Sequence, residues 1–178
     1  ATIAFEDCAL TLLSIHAAAL QGAPDERDAF VARLDTLARQ HGGSVDHYGW
    51  GHTAIFFDEP QRAMQAALAL QRELAGERVQ LGLHHCACEV AAFRGLGAWE
   101  RTLLGDEAAQ AREATAGGVP GVVVVSPEAY ALLREDLQAQ PGSAVVTEKF
   151  QGTGLNLAWL APVDPPRPAP ACAASFAA

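Results

Sequence analysis

Positive charge is scarce in this sequence. Its 178 residues hold 12 lysines and arginines against 21 acids, a net charge of −9, and Lys149 is the sole lysine. A nucleic-acid binder needs a basic stripe to meet phosphates, and docking on anionic lipid makes the same demand, so neither partner is expected. Long apolar runs are also missing. The longest candidate, residues 9–20, is broken by Thr11, Ser14 and His16, and none approaches the roughly 20 residues that span a bilayer. The start carries no basic n-region, so no secretion signal is expected. Cysteine is sparse: Cys8, Cys86, Cys88 and Cys172 do not read as a disulfide framework, which favours a reduced, cytoplasmic setting. What is abundant is apolar surface. Half the residues are apolar and 19% are charged, enough for one domain with a full core.

The chain alternates short apolar runs with helical patterns. Residues 2–5 read as a first strand and residues 9–20 as helix-like. Residues 25–40 are the clearest amphipathic helix: Pro24 precedes it, acids fill its first turn, and Phe30, Leu34 and Leu37 recur at helical spacing. His41-Gly42-Gly43 stops it. Residues 44–48 and 53–57 are two strands around a Gly49-Trp50-Gly51 turn. Pro60 opens a helix through Ala75, and residues 79–86 form a strand. Residues 87–101 hold a strand and a loop. Gly105-Asp106 leads into a helix through Ala116.

The valines at 122–125 predict a strand buried on both faces. Ser126-Pro127 starts a short helix with an N-cap serine, and two closing strands cover 143–150 and 155–160. From residue 162 prolines and then alanines take over, the composition of a linker or tail. One domain over 1–161 and a tail over 162–178 are expected. The order predicts an α+β sandwich: a ferredoxin-like βαββαβ core with additions, one sheet with helices on one face.

Two segments carry the chemical argument. Phe5-Glu6-Asp7-Cys8 offers a carboxylate, Asp7, at a strand end. The tight Gly49-Trp50-Gly51 hairpin offers an indole. The two are expected to lie close together in the fold. Cys86 and Cys88 share a face if their stretch is a strand, and with His84 they form the one metal-like or redox-like cluster. Solvated loop histidines account for His47 and His52, with phosphate binding or pH sensing as the alternative. Asp25, Glu26 and Asp28 are first-turn charges favoured by the helix dipole.

Several strings, in their order and spacing, resemble the catalytic domain of class III nucleotidyl cyclases. They are Phe5-Glu6-Asp7, Arg39-Gln40-His41-Gly42-Gly43, the Gly-X-Gly hairpin followed by Ala54-Ile55-Phe56, the run QAALALQR at 65–72, Leu81-Gly82-Leu83-His84, Leu104-Gly105-Asp106, and Val123-Val124-Val125-Ser126. The resemblance covers residues 1–160 and implies the α+β fold of nucleotidyl cyclase type and a dimerisation surface. It also implies a chemistry: the ribose 3′-hydroxyl attacks the α-phosphate, with two metal ions on two carboxylates. On it, Asp7 matches the first metal carboxylate and Trp50 stands where the second belongs; an indole offers no hard oxygen to magnesium. Asp46 stands where a base-reading lysine is usual. Thr102 is compatible with a base-reading variant. Ala109 aligns with the ribose-orienting asparagine and Glu113 with the transition-state arginine, while Gln110 and Arg112 lie one residue away at the wrong mutual spacing. Cys86 replaces a glycine after His84.

The sequence therefore predicts a catalytically inactive cyclase-like domain: a dimerising regulatory or sensory module, with a fused or separate signalling effector and no cofactor. One alternative is an active adenylate or guanylate cyclase using magnesium or manganese, either alone or only with a partner chain. The other is a metal or redox module built on His84 to Cys88.

Overall fold

The computed structural model describes residues 2–46, 51–95 and 97–139, together with the backbone of 143–149 and 156–162. Two long strands organise it. β1 (Ile3–Ala17) and β4 (Val79–Arg94) run antiparallel in one unbroken register, from Ile3 opposite Phe93 to Ala17 opposite Val79. β2 (Ser44–Val45) and β3 (His52–Phe57) follow helix α1 (Pro24–Gln40), and α2 (Pro60–Glu73) leads into β4. β5 (Trp99–Leu103) folds back on the far half of β4. Helix α3 (Glu107–Ala114), strand β6 (Val123–Val125), helix α4 (Pro127–Gln138) and strands β7 (Ser143–Lys149) and β8 (Asn156–Pro162) complete the chain. The sheet order is β2-β3-β1-β4-β6-β8-β7, with β5 paired to β4. The first four strands, β2-β3-β1-β4, have the ferredoxin-like arrangement, with β3 inserted between β1 and β2. The expected α+β sandwich is the fold observed.

Local chemistry explains most elements. α1 has Pro24 in its first turn, Asp25 and Glu26 at its positive end and Arg39 in its last turn. It buries Phe30, Leu34, Leu37 and Ala38 on one stripe. α4 starts where Ser126 Oγ accepts a hydrogen bond from the Ala129 amide, which satisfies one orphan donor of the first turn. The three valines of β6 are fully buried, as a strand covered on both faces requires.

Residues 9–17 are not helical. They continue β1, and only a short 3₁₀ turn follows at Ala18–Gln21. The reason is coverage of both faces. Leu13, Ile15 and Ala17 pack into the larger core beneath α1, α2 and α4. Leu10 and Leu12 point the other way, into a second core with Phe56, Cys88, Val90, Leu103 and Ala111 of α3. Six consecutive residues, Leu10 to Ile15, are buried, which erases the alternation that would reveal a strand. The helices therefore lie on both faces, α3 opposite the rest, and not on one face as the sequence suggests. β4 likewise runs on to Arg94, past the predicted end at Cys86. The predicted tail begins at β8's last residue, Pro162; from 163 on it lies outside the described residues.

Gly82 sets how closely α3 approaches the sheet. A Cβ there would overlap the Cβ and Oγ1 of Thr115, just beyond the end of α3. Thr115 is itself held by its hydroxyl donating to the Ala111 carbonyl at 2.7 Å. Gly82→Ala is expected to lower the unfolding free energy by about 1–3 kcal/mol through overpacking. A urea unfolding midpoint unchanged from the parent would show that α3 does not seat this closely.

Candidate functional site

Ser14 and His16 are the polar members of the α3-facing side of β1, at the strand's C-terminal end. In the β1–β3 register His16 lies opposite His52 and Ser14 opposite Ala54. Ser14 Oγ and His52 Nε2 are hydrogen-bonded at 2.9 Å, both residues being buried. One step further the Ala17 amide donates to the Gly51 carbonyl at 3.0 Å, tying β1 to the hairpin. Gly51 has φ +76°, and a side chain there would meet Gln21, so this turn requires glycine. The last turn of α3 closes the site from above. Ser14, His16, Gln80, Gly82, Arg112, Glu113 and Thr115 surround a cavity of about 460 Å³.

The electrostatics of this cleft centre on His52. Burial is the largest influence on it, followed by electrostatic repulsion from Arg112 and then from His16, and together they push its pKa down to about 4. At neutral pH it is a neutral imidazole paired with Ser14. Arg112 and Glu113 are both exposed on α3, so the cleft presents a cation and an anion side by side.

The structure separates the residues singled out in the sequence. Asp7 is exposed on β1 opposite Glu89, ten residues before the Ala17 that meets the hairpin. At about 3.3 Å per residue that is about 30 Å along the strand. The expected proximity of Asp7 to the hairpin therefore fails, because β1 is one long strand and not a short strand followed by a helix. Thr102 pairs with Ala91, which faces Phe5, so it shares the far end of the sheet with Asp7. Its side chain lies on the sheet face away from the cleft. Asp46 follows β2, its amide donating to the Ala54 carbonyl at 2.8 Å and its own carbonyl accepting from Thr53 Oγ1 at 3.3 Å. Trp50 and His47 lie outside the described residues. On α3, Ala109 is exposed and Glu113 lines the cleft. Gln110 is turned to the helix start, donating to Asp106 Oδ1 at 2.7 Å, whereas Arg112 faces the cavity.

Sequence inspection did not join Ser14, His16, His52 and Arg112 into a site. One signal was present: Ser14 and His16 are spaced by two within an apolar run, the period of one strand face.

A second cavity, of about 750 Å³, lies at the other end of α3. Asp7, Cys8, Cys88, Glu89, Asp106, Glu107 and Gln110 are among its walls. Glu107 is 4% exposed and accepts from the Glu89 amide at 2.8 Å. Among the described residues no group of three or more His, Cys, Asp or Glu side chains is placed to hold a metal ion, and no helix is long and apolar enough to cross a membrane.

The donor set of the cleft does not suit a pair of magnesium or manganese ions. Such ions want hard oxygen ligands, chiefly carboxylates. β1 offers Ser14 and His16 at this end and no acid from Leu10 to Ala17. Among the described residues Glu113 is the one carboxylate lining the cavity, and it stands beside Arg112.

Lowering the pH tests the Ser14–His52 pair. The unfolded chain protonates His52 near pH 6.5, whereas the folded chain resists until about pH 4. The stability that the neutral pair contributes is thus fully present above pH 6.5 and is lost as pH falls toward 4. The loss is on the order of 2–3 kcal/mol. Urea midpoints between pH 7 and 4 are expected to fall less steeply in His52→Gln than in the parent; parallel profiles would remove His52 from the account.

No family sequence model and no curated protein sequence matches the chain. Solved structures do. The adenylyl cyclase CyaB from P. aeruginosa superposes with a TM-score of 0.66 at 13% identity, covering 92% of this chain and 98% of that one. A non-canonical dimeric guanylyl cyclase domain of the RhoGC fusion protein from the aquatic fungus Blastocladiella emersonii gives 0.63 at 13% identity, covering 89% and 97%. An adenylate/guanylate cyclase/hydrolase from Silicibacter pomeroyi gives 0.53 at 17% identity, covering 88% and 98%. The chain has the fold of class III adenylyl and guanylyl cyclase catalytic domains.

Proposed function

We propose that this chain is a nucleotidyl cyclase-like domain that does not turn over nucleotide and serves as a dimerising regulatory or sensory module in signalling. The furnishing of the cleft carries the proposal. Phosphoryl transfer by two metals needs two carboxylates held together, and Asp7, the candidate for one of them, lies about 30 Å along β1 from the hairpin. This chain supplies Ser14 and His16 on β1 and, by sequence, Trp50 in the hairpin. By the sequence resemblance, Ala109 and Glu113 align with the ribose-orienting asparagine and the transition-state arginine. Removing one electrostatic group from a transition state costs about 10²–10³ in rate, and here several are replaced together. What remains is a cavity lined by Ser14, hydrogen-bonded to the buried His52, and by His16, Gln80, Arg112 and Glu113, suited to holding a polar ligand without transforming it.

The dimer half of the proposal is supported by the far end of the sheet. Ile3 and Phe5 on β1, 56% and 73% exposed, lie at the same end as Trp99 of β5, 58% exposed. Large apolar side chains gathered at one end favour burial against a second copy. Arg112 favours the other reading, an active cyclase completed by a partner chain, because it presents a cation to any phosphate entering the cleft.

One assay separates the two. The purified chain is incubated with ATP or GTP and manganese, and cyclic product is quantified by mass spectrometry. No product above a protein-free control is expected; sustained turnover would sink the inactive reading. Sedimentation velocity is expected to give a dimer that Phe5→Asp shifts toward monomer. A parent that sediments as a monomer at all concentrations would refute the dimer.

A further inference from the structure

Three thiols share the α3-facing side of the β1–β4 ladder. Cys8 sits directly opposite Cys88, and Cys86 lies two residues before Cys88 on β4. Cys86 Sγ and Cys88 Sγ are 3.8 Å apart. Cys88 is 3% exposed, and its thiol also reaches the Cys86 carbonyl at 3.5 Å. Cys86 is half-buried, within reach of solvent. His84, two residues further back on the same face, is fixed by Ser126 Oγ at 2.8 Å from its Nδ1.

This arrangement gives the two sulfurs unequal roles. The hydrogen bond from Cys88 holds the Cys86 thiol well below the usual range, His84 adds to this, and burial opposes it. The same shared bond pushes Cys88 up, with burial acting in the same sense. Both directions favour the proton on the buried sulfur and the thiolate on the accessible one. A thiolate beside a neutral thiol is the pairing that attack followed by resolution needs.

We propose that Cys86 and Cys88 are a hydroperoxide-oxidised dithiol, with Cys86 attacking and Cys88 resolving to a disulfide within β4. The Cys86 thiolate attacks the distal peroxide oxygen, the O–O bond breaks, and the leaving alkoxide or hydroxide takes up a proton. Cys86 is then a sulfenic acid. Cys88 sulfur attacks the Cys86 sulfur, the S–O bond breaks, and the departing hydroxide leaves as water with the Cys88 proton. Two thiols are oxidised and one peroxide is reduced to an alcohol, or to water, plus one water.

Closure needs β4 to buckle locally at Ala87. Residues spaced by two on a strand have Cα atoms about 6.6–6.8 Å apart, at the upper end of the span a disulfide bridges, and their parallel Cβ atoms lie beyond the roughly 3.5–4.5 Å of a disulfide, although the sulfurs already approach to 3.8 Å. Disulfides formed near that limit are readily reduced, as a reversible switch requires. Closure would also act at a distance. Cys88 packs with Leu10, Leu12, Val90 and Ala111 in the core beneath α3, so drawing its sulfur toward Cys86 loosens the seat of α3, whose last turn walls the cleft.

The sequence supplies a clean test. Trypsin cuts after Arg78 and Arg94, so one peptide, 79–94, contains both cysteines, while Cys8 lies on peptide 1–27. The full chain is treated with hydrogen peroxide, alkylated, digested and weighed. Peptide 79–94 is expected to be lighter by two hydrogen atoms, without alkyl groups, and to return to its reduced, doubly alkylated form after dithiothreitol. A peptide 79–94 that is alkylated at both cysteines after peroxide would overturn the proposal. So would its cross-linking to peptide 1–27, which would assign the disulfide to Cys8 and Cys88. Dimedone added with peroxide is expected to label Cys86 in Cys88→Ser about tenfold more than Cys88 in Cys86→Ser. Equal labelling would refute the division of roles. The mass shift on the parent chain stands whether or not either variant folds.

Discussion

The fifteen-residue register between β1 and β4 is the constraint on which the rest of the molecule depends. It places every β1 side chain on one of two faces and gives each face its own core. Beneath α1, α2 and α4 lie Leu13, Ile15, Leu81 and Leu83. Beneath α3 lie Leu10, Leu12, Cys88 and Val90. Because the side-chain period of a strand is two, a slip of one residue would exchange the two cores and carry Ser14 and His16 out of the cleft. The same register sets the Cys8–Cys88 pairing and the distance between Asp7 and the hairpin. Fold, cleft and thiol cluster are three consequences of one ladder.

The cleft follows from where apolar burial gives out along that ladder. On the α3-facing side, Cys8, Leu10 and Leu12 give way to Ser14 and His16, and on β4 Val90 and Cys88 give way to Gly82 and Gln80. Gly82 lets Thr115 press against the sheet, and the helix end it anchors brings Arg112 and Glu113 over the polar end. A buried histidine in such a place must be neutral or paired with an anion. Here Ser14 pairs with it while Arg112 and His16 disfavour its proton. A site arranged to keep an imidazole uncharged and to offer one arginine is poorly matched to two divalent cations. It is better matched to one polar ligand held by hydrogen bonds.

Much of the fold was legible in the sequence, and the reasons are local. α1 has acids and proline at its start and a glycine stop. The hairpin is bounded by glycines, the valine run of β6 has no polar face, and Ser126 caps α4. The start of β1 was legible at residues 2–5, but its continuation over residues 9–17 was not, because burial on both faces removes the period-two signal and leaves an apolar stretch that a helix could equally explain. The second half of β4 was missed because Cys86 to Val90 mixes polar and apolar residues that are sorted only by β1 on one side and β5 on the other. The candidate site suffered most from this. Asp7 reads as the end of a short strand in the sequence and lies early in a long one in the structure, and only the strand's length shows that its neighbours are Glu89 and the far cavity. Ser14, His16, His52 and Arg112 come from three separated segments, and their convergence depends on sheet order, which no local pattern encodes.

The central claim is that this cyclase fold has a cleft whose side chains do not assemble a divalent-metal site. Electron paramagnetic resonance of manganese, titrated with the purified chain in the presence and absence of ATP, tests it most directly. The account predicts that free and ATP-bound manganese explain the whole signal at every protein concentration. A protein-dependent loss of that signal, reversed by magnesium, would contradict it and place a metal centre in the cleft.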